Sequence, residues 1–381
     1  MESTCSELLD CCLRGETWPG ELLNRALAEQ EGRAFLSIVV ERLGDLFEPR
    51  LCQVYEELFR AVIGKVCPEL KARVRQGPAR GRPARACRMV YVLSRVTLGA
   101  DVAVSSVLLD AAKRRYPGAE IVFVAPRKNY ELFAGDPRIR HLDAPYARTG
   151  ALRDRLQASA SLWFEDGIVL DPDSRLTQLG VISVCPEPNY FWFNSRMYGG
   201  QGNDRLPDLA ARWAREVLDV EDAQPYIAPL PSDEQAAEIT VSLGVGENPA
   251  KRISDNFERD LLAILVRTGC SVLVDEGGSE EESARVHAIL PPGARTHRGA
   301  FAPFAARIAR SRLFVGYDSA AGHVASACGV PQIAIMNGFV SERMLARWRP
   351  LGTMIRGNDA NPLGAVERAV SDILASARRL V

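Results

Sequence analysis

The chain has 381 residues, too many for one hydrophobic core, and predicts two or three domains. Apolar residues make up 47% and charged residues 25%, and the formal net charge is −1, so no overall field recruits nucleic acid or an acidic membrane. The nine cysteines are odd in number and form no CxxC pair; they read as reduced, mostly buried thiols of a cytosolic protein, and their spacing argues against a zinc site.

The opening MESTCSELLDCCLRGE carries early acids and no long apolar stretch, so it is not read as a secretory signal. No run reaches the roughly 20 apolar residues of a membrane span, and peripheral contact with a membrane stays compatible with that. Residues 1–76 predict helices. Between Glu48 and Lys65 the apolar side chains Leu51, Val54, Tyr55, Leu58, Phe59 and Val62 recur at 3,4 spacing, leaving one wet face. This region reads as a small helical bundle or a docking extension with a protein partner. The Gly-, Pro- and Arg-rich stretch 77–88, GPARGRPARACR, is a linker. A solvated connector outweighs a reading in which its arginines touch phosphate or anionic lipid.

After the linker, short β-rich runs alternate with helices. MVYVLS (89–94), EIVFVA (120–125), IVLD (168–171) and ISVC (182–185) predict strands, with helices over Val102–Arg115 and Leu206–Leu218. A second series runs from ITVSLG (239–244) through SVLVDEGG (271–278), RLFVG (312–316) and QIAIM (332–336). Helices are predicted over Asn256–Thr268, Glu280–Leu290, Phe304–Ser311, Ser319–Cys328 and Pro362–Arg379. Such alternation predicts two α/β domains with parallel sheets, 89–228 and 229–381, with ligands in the cleft at the strands' carboxyl ends.

Four segments carry candidate chemistry. In VGYDSAAGHVASACGVP (315–331) a strand ends and Asp318–Ser319 opens a helix of small residues, Ala320 and Ala321 among them. Free N–H groups in a first helical turn suit a phosphate, and His323 shares a helix face with Ser319. Simple N-capping explains the same residues equally well. In SLGVGENPAKRIS (242–254) a Gly-rich loop leads to Lys251, a cation suited to a diphosphate leaving group, against the plainer reading of a surface lysine. Asp101, in the first strand–helix turn, suits a general base or a helix cap. Glu281, in DEGGSEEESARV (275–286), suits ribose hydroxyls or a charged first turn.

Taken in order, VTLGADVAVSSVLLDAAKRRYPGAEIVFV, SLGVGENPAKRIS, DEGGSEEE and VGYDSAAGHVASACGVP make residues 88–380 resemble glycosyltransferase family 9, the ADP-heptose:lipopolysaccharide heptosyltransferase family. The helical region 1–76 lies outside the resemblance. The family implies a GT-B fold: two Rossmann-like domains facing a cleft, the first for the acceptor and the second for the nucleotide sugar. It implies inverting transfer without a metal or cofactor, the ADP-linked sugar being a substrate. By position, Asp101 would be the catalytic base and Lys251 would hold the diphosphate. Asp318 would contact the sugar hydroxyls. Ser319 and the N–H groups of Ala320 and Ala321 would hold phosphate, with His323 beside them and Glu281 on the ribose. Asp171, Ser174 and Arg175, in DPDSRLTQLG (171–180), fall where the acceptor approaches. The chain departs from the family at Ala100, where Gly precedes the Asp; near Ser106, where a Pro is common; and at Ala320, where Gly follows Ser or Thr. The resemblance implies a lipopolysaccharide or other glycan acceptor at the cytoplasmic membrane face. The alternative is a non-catalytic protein of the same fold that binds nucleotide sugars and recruits a partner through its helical extension. An epimerase lacks the clustered acids and histidines it would need, with only four His in the chain.

Overall fold

The computed structural model describes residues 3–75, 77, 81–144, 146–147, 149–231, 235–246 and 248–378. Residues 78–80 of the linker and Arg379 of the last predicted helix lie outside them. Five strands form the first sheet: β1 Met89–Leu93, β2 Glu120–Ala125, β3 Ile139–Asp143, β4 Ile168–Asp171 and β5 Tyr190–Trp192, in the order β3-β2-β1-β4-β5. Six form the second: β6 Ile239–Ser242, β7 Val272–Asp275, β8 Ala294–His297, β9 Leu313–Tyr317, β10 Gln332–Met336 and β11 Thr353–Arg356, in the order β11-β10-β9-β6-β7-β8. Every pairing is parallel.

Parallel strands need both faces covered, and these sequences supply both faces with apolar side chains. On β2, Ile121, Phe123 and Ala125 enter one core while Val122 and Val124 enter the other, the period of two that a strand imposes. β5 is a correction. The apolar ISVC at 182–185 is not a strand; Ile182 makes a single antiparallel bridge to Val74, and the sheet ends instead on Tyr190–Trp192. Val181 and Ile182 are apolar because they meet the helical region.

The helical region is part of the same body. Its helices Thr4–Arg14, Gly20–Ala28, Glu41–Asp45 and Pro49–Val66 bury Leu51, Tyr55, Leu58, Phe59 and Val62. That core also contains Leu152, Leu156, Leu179, Val181 and Ile182 from the first sheet domain. The apolar stripe that the sequence leaves for a partner is therefore covered by the chain itself. Arg73 fastens the join by donating to the carbonyls of Ser159, Ala160, Leu162 and Ser183 at 2.5–3.2 Å. Arg75, 4% exposed, lies 4.2 Å over the Tyr190 ring and pairs with Glu187 at 3.0 Å.

The two sheet domains meet along their strand ends. Val102 and Ala103 of the first share a core with Ala321, Val324 and Ala325 of the second. Arg347, fully buried, donates across the seam to the carbonyls of Gly200 at 2.9 Å and Asp204 at 3.3 Å. Because the helical region shares its core with the first domain, Leu58→Ala should destabilise more than its own helix. We expect a loss of about 2–5 kcal/mol in one unfolding transition, read by urea denaturation, against less than about 0.5 kcal/mol for the exposed Ser37→Ala.

Candidate functional site

The strand order puts the ends of β6 and β9 side by side in the second sheet. β9 runs into Asp318, Ser319 and the helix Ala320–Ala327. The loop after β6 leads to the short turn Pro249–Lys251. These two segments bring Lys251 and Asp318 together, with Nζ 2.7 Å from the carboxylate and 3.2 Å from the Asp318 carbonyl. Both side chains are mostly buried. The lysine turn is braced from behind. Asn337 donates to the carbonyls of Ala250 and Arg252, and Gly338, at φ 64°, leaves no room for a side chain against Ala250. Arg252, the neighbouring cation, is already taken by the fully buried Glu258, which Arg285 also holds.

Ser319 stands at the N-cap but does not cap. Its hydroxyl makes no bond to the helix and is buried, without a partner among the described residues. The plain capping explanation therefore fails at this position. A buried polar atom left unbonded costs free energy, so a hydroxyl held here beside the free first-turn amides of Ala320 and Ala321 is poised for an external oxygen. His323, one turn further on, meets the first domain. Its ring lies 5.7 Å from Trp348, and burial pulls its pKa below the usual imidazole range. A Cβ added to Gly99 would stand 3.0 Å from that ring and 3.1 Å from the Ala320 Cα. A pocket lined by Ala103, Arg205, His323, Ser326 and Arg349 opens at the same seam.

Glu281 needs correction. It is exposed on the helix Glu280–Ile289. The next acid, Glu282, folds back over the turn, accepts from the Gly278 N–H at 2.9 Å and lies near Gly244 of the β6 loop. The SEEE run contained the signal: Ser279-x-x-Glu282 is a capping box, which assigns Glu282 to the inward position. Beside it, burial pushes the Asp275 carboxyl up to about 6, with the Gly277 N–H opposing.

Asp101 is not in the cleft. It is fully buried and accepts from the Ser94 hydroxyl (2.6 Å), the Arg95 N–H (2.6 Å), the Ser105 hydroxyl (2.5 Å) and the Asn129 amide (2.6 Å). The wide π-type turn Asp101–Ser105 aims its carboxylate into its own domain. Burial raises its pKa, opposed by those four donors. Asp171 and Ser174 are also spent internally. Asp171 accepts from the Ser174 N–H and the Thr177 hydroxyl at 2.6 Å each and from the Tyr190 hydroxyl. Ser174 donates to the Ser94 carbonyl. Of the three acceptor-side candidates only Arg175 keeps a guanidinium nitrogen, Nη1, without a partner among the described residues. The described residues contain no group of three or more His, Cys, Asp or Glu placed to hold a metal ion, and no helix long and apolar enough to cross a membrane.

Residues 238–361 match the model of glycosyltransferase family 9 (heptosyltransferase). The second sheet domain is a glycosyltransferase family 9 domain. Its matched span contains Lys251, Asp318, Ser319 and His323, and excludes Asp101. Among solved structures, the chain is similar to E. coli heptosyltransferase WaaC with ADP-2-deoxy-2-fluoro heptose, at 14% identity and a TM-score of 0.55 over 76% of this chain and 99% of that one. A family 9 glycosyl transferase from Veillonella parvula gives 15% identity and a TM-score of 0.54 over 77% and 99%. E. coli ADP-heptose lps heptosyltransferase II gives 19% and 0.51 over 76% and 99%. At these identities the likeness is one of fold, and the fold is GT-B with a helical extension added. No curated protein sequence matches the chain.

Two substitutions probe acids whose proton affinity burial raises, one in each sheet domain. Asp101→Asn turns an NH2 toward donors, so unfolding free energy should fall by about 1–3 kcal/mol in urea. An unchanged midpoint would mean that the four hydrogen bonds do not hold the turn. For Asp275, the folded chain keeps its proton to about pH 6, whereas the unfolded chain releases it near pH 4. The native protein therefore loses stability as pH rises through that window. Asp275→Asn should be more stable than the parent above pH 6, with the advantage gone below pH 4, measured by thermal melts across pH.

Proposed function

We propose that the protein is an inverting, metal-independent glycosyltransferase. It moves a heptose or similar sugar from an ADP-linked donor to a lipopolysaccharide or other glycan acceptor at the inner face of the cytoplasmic membrane. The observation that carries this reading is the Lys251–Asp318 pair beside the unpartnered Ser319 hydroxyl and the first turn of the Ala320–Ala327 helix. Lys251, Ser319 and the N–H groups of Ala320 and Ala321 take the diphosphate oxygens, where negative charge grows as the bond to the sugar breaks. Asp318 takes sugar hydroxyls, His323 a neighbouring oxygen, and Glu282 the ribose hydroxyls.

In the transfer itself, an acceptor hydroxyl oxygen bonds to the anomeric carbon from the face opposite the diphosphate. The nucleoside diphosphate leaves with the bonding pair, and the configuration inverts. The proton of the acceptor hydroxyl passes to a carboxylate. Asp101 takes that part by family position, and to do so it must exchange one of its four donors for the acceptor hydroxyl. That saturation favours a second reading, a nucleotide-sugar-binding protein of the same fold that does not transfer.

Melting the protein with a panel of ADP-, UDP- and GDP-sugars separates the readings, because a ligand that binds only the folded chain raises its stability. ADP-heptose should raise the melting temperature, and Lys251→Ala should weaken its binding by roughly tenfold to a hundredfold, the worth of one charged hydrogen bond. Stabilisation without sugar transfer to a truncated lipopolysaccharide core selects the second reading. Absence of stabilisation by every member of the panel rejects both.

A further inference from the structure

The proposed donor site is backed by a buried ion cluster centred on Glu258. The side chain is wholly buried, and both carboxylate oxygens are used. Arg252 donates Nε to one oxygen at 2.9 Å and Nη2 to the other at 3.0 Å. Arg285 donates Nη1 to the second oxygen at 2.7 Å. Arg252 also reaches Asp255, which is exposed. Burying a carboxylate between guanidiniums carries a desolvation cost, and apolar residues of similar volume often stabilise a fold as well. What two planar forks on one carboxylate supply is fixed geometry.

The cluster adjoins the residues assigned to the two ends of the donor. Arg252 directly follows Lys251. The Tyr317 hydroxyl accepts from the Ile253 N–H at 3.2 Å, and Tyr317 directly precedes Asp318. Arg285 stands three residues beyond Glu282 on the helix Glu280–Ile289, and its Nη2 donates to the Leu243 carbonyl at 3.2 Å. The next residue, Gly244, is the one that Glu282 approaches; a Cβ there would stand 3.7 Å from the Glu282 carboxylate. Glu258 belongs to the first turn of the helix Asp255–Arg267, whose cap Ser254 accepts from the Phe257 N–H at 3.1 Å. One carboxylate thus joins the lysine turn to the β6 loop and to the helix that carries Glu282.

We propose that Glu258 is a positioning residue that, through Arg252 and Arg285, sets the span between Lys251 and Glu282 and so makes the site select a nucleoside diphosphate over a monophosphate. Glu258 touches no ligand itself. The inference rests on the donor-site reading, which the transferase and the non-transferring alternative share. A diphosphate attached to a ribose on Glu282 meets Lys251 only when the two ends are held at one separation. A monophosphate ends one phosphoryl group short and draws less on the placement of the lysine.

The test measures the binding of ADP, AMP and adenosine to the full chain by calorimetry. The parent should bind ADP more tightly than AMP. Glu258→Gln should weaken ADP by about tenfold and AMP by less than about twofold, the first matching one charged hydrogen bond put out of place. Arg252→Gln cuts the link to the lysine turn and leaves Glu258 paired with Arg285. It should show the same selective loss, and it covers a folding defect in the first variant. Combined with Lys251→Ala, either change should add nothing to the loss that Lys251→Ala causes alone, because both act through that one side chain. Equal losses for ADP and AMP, or full additivity with Lys251→Ala, make the cluster merely structural and overturn the proposal. ADP bound by Arg252→Gln as tightly as by the parent overturns it too, and leaves the donor-site reading standing. A parent that binds none of the three ligands removes the donor-site reading and this inference with it.

Discussion

At the seam between the sheets, the turn Leu98–Ala100 rests on the first turn of the helix Ala320–Ala327, close enough that a Cβ at Gly99 would press on the Ala320 backbone. Much else follows from this contact. It is possible because both surfaces are made of small residues. It places His323 against the first domain and carries the apolar core of one domain into the other. The small residues at the helix N-terminus, proposed above to admit a phosphate, are the ones that let the other domain approach it.

Around this contact the seam is held by polar groups as well as apolar ones. Arg347 spends its buried guanidinium on two main-chain carbonyls of the 200–204 loop. Trp348 packs edge-on against Phe47 of the extension, and Arg343 donates to the Phe47 carbonyl. The extension thus touches both domains. Carbonyls accept well from a guanidinium but lack a countercharge, so these bonds set geometry more than they add stability. The helical region is therefore packed into the body of the protein rather than appended to it.

The sheets were legible where burial is complete on both faces. EIVFVA, IVLD, ITVS and QIAIM are apolar at most positions, almost wholly buried, and are strands. The edge strands were not: IRHLD, ARTH and TMIR carry polar residues because one side faces water, and their composition reads as loop. The opposite error, ISVC, came from apolar residues that serve a helix–sheet contact with residues 1–76. Periodicity records burial and does not say what does the burying. In the site, the two motifs at neighbouring strand ends were legible, but the ion pair between Lys251 and Asp318 was not, and the inward position of Glu282 depended on helix phase, which only the capping box encodes.

Asp101 marks the limit of position-based inference. The sequence places an acid in a strand–helix turn, and that much is observed. Which way its carboxylate points depends on partners 7 residues before it and 28 after it, Ser94 and Asn129, and on a turn one residue wider than an α-helical one. None of these leaves a local pattern. A carboxylate with four donors is a poorer base than one with two, since each hydrogen bond to the charged form must weaken as the proton arrives. Burial acts in the other direction and raises proton affinity. The balance between the two, set by whether Ser105 or Asn129 can give way to an acceptor hydroxyl, decides whether Asp101 can serve as the base of the proposed transfer.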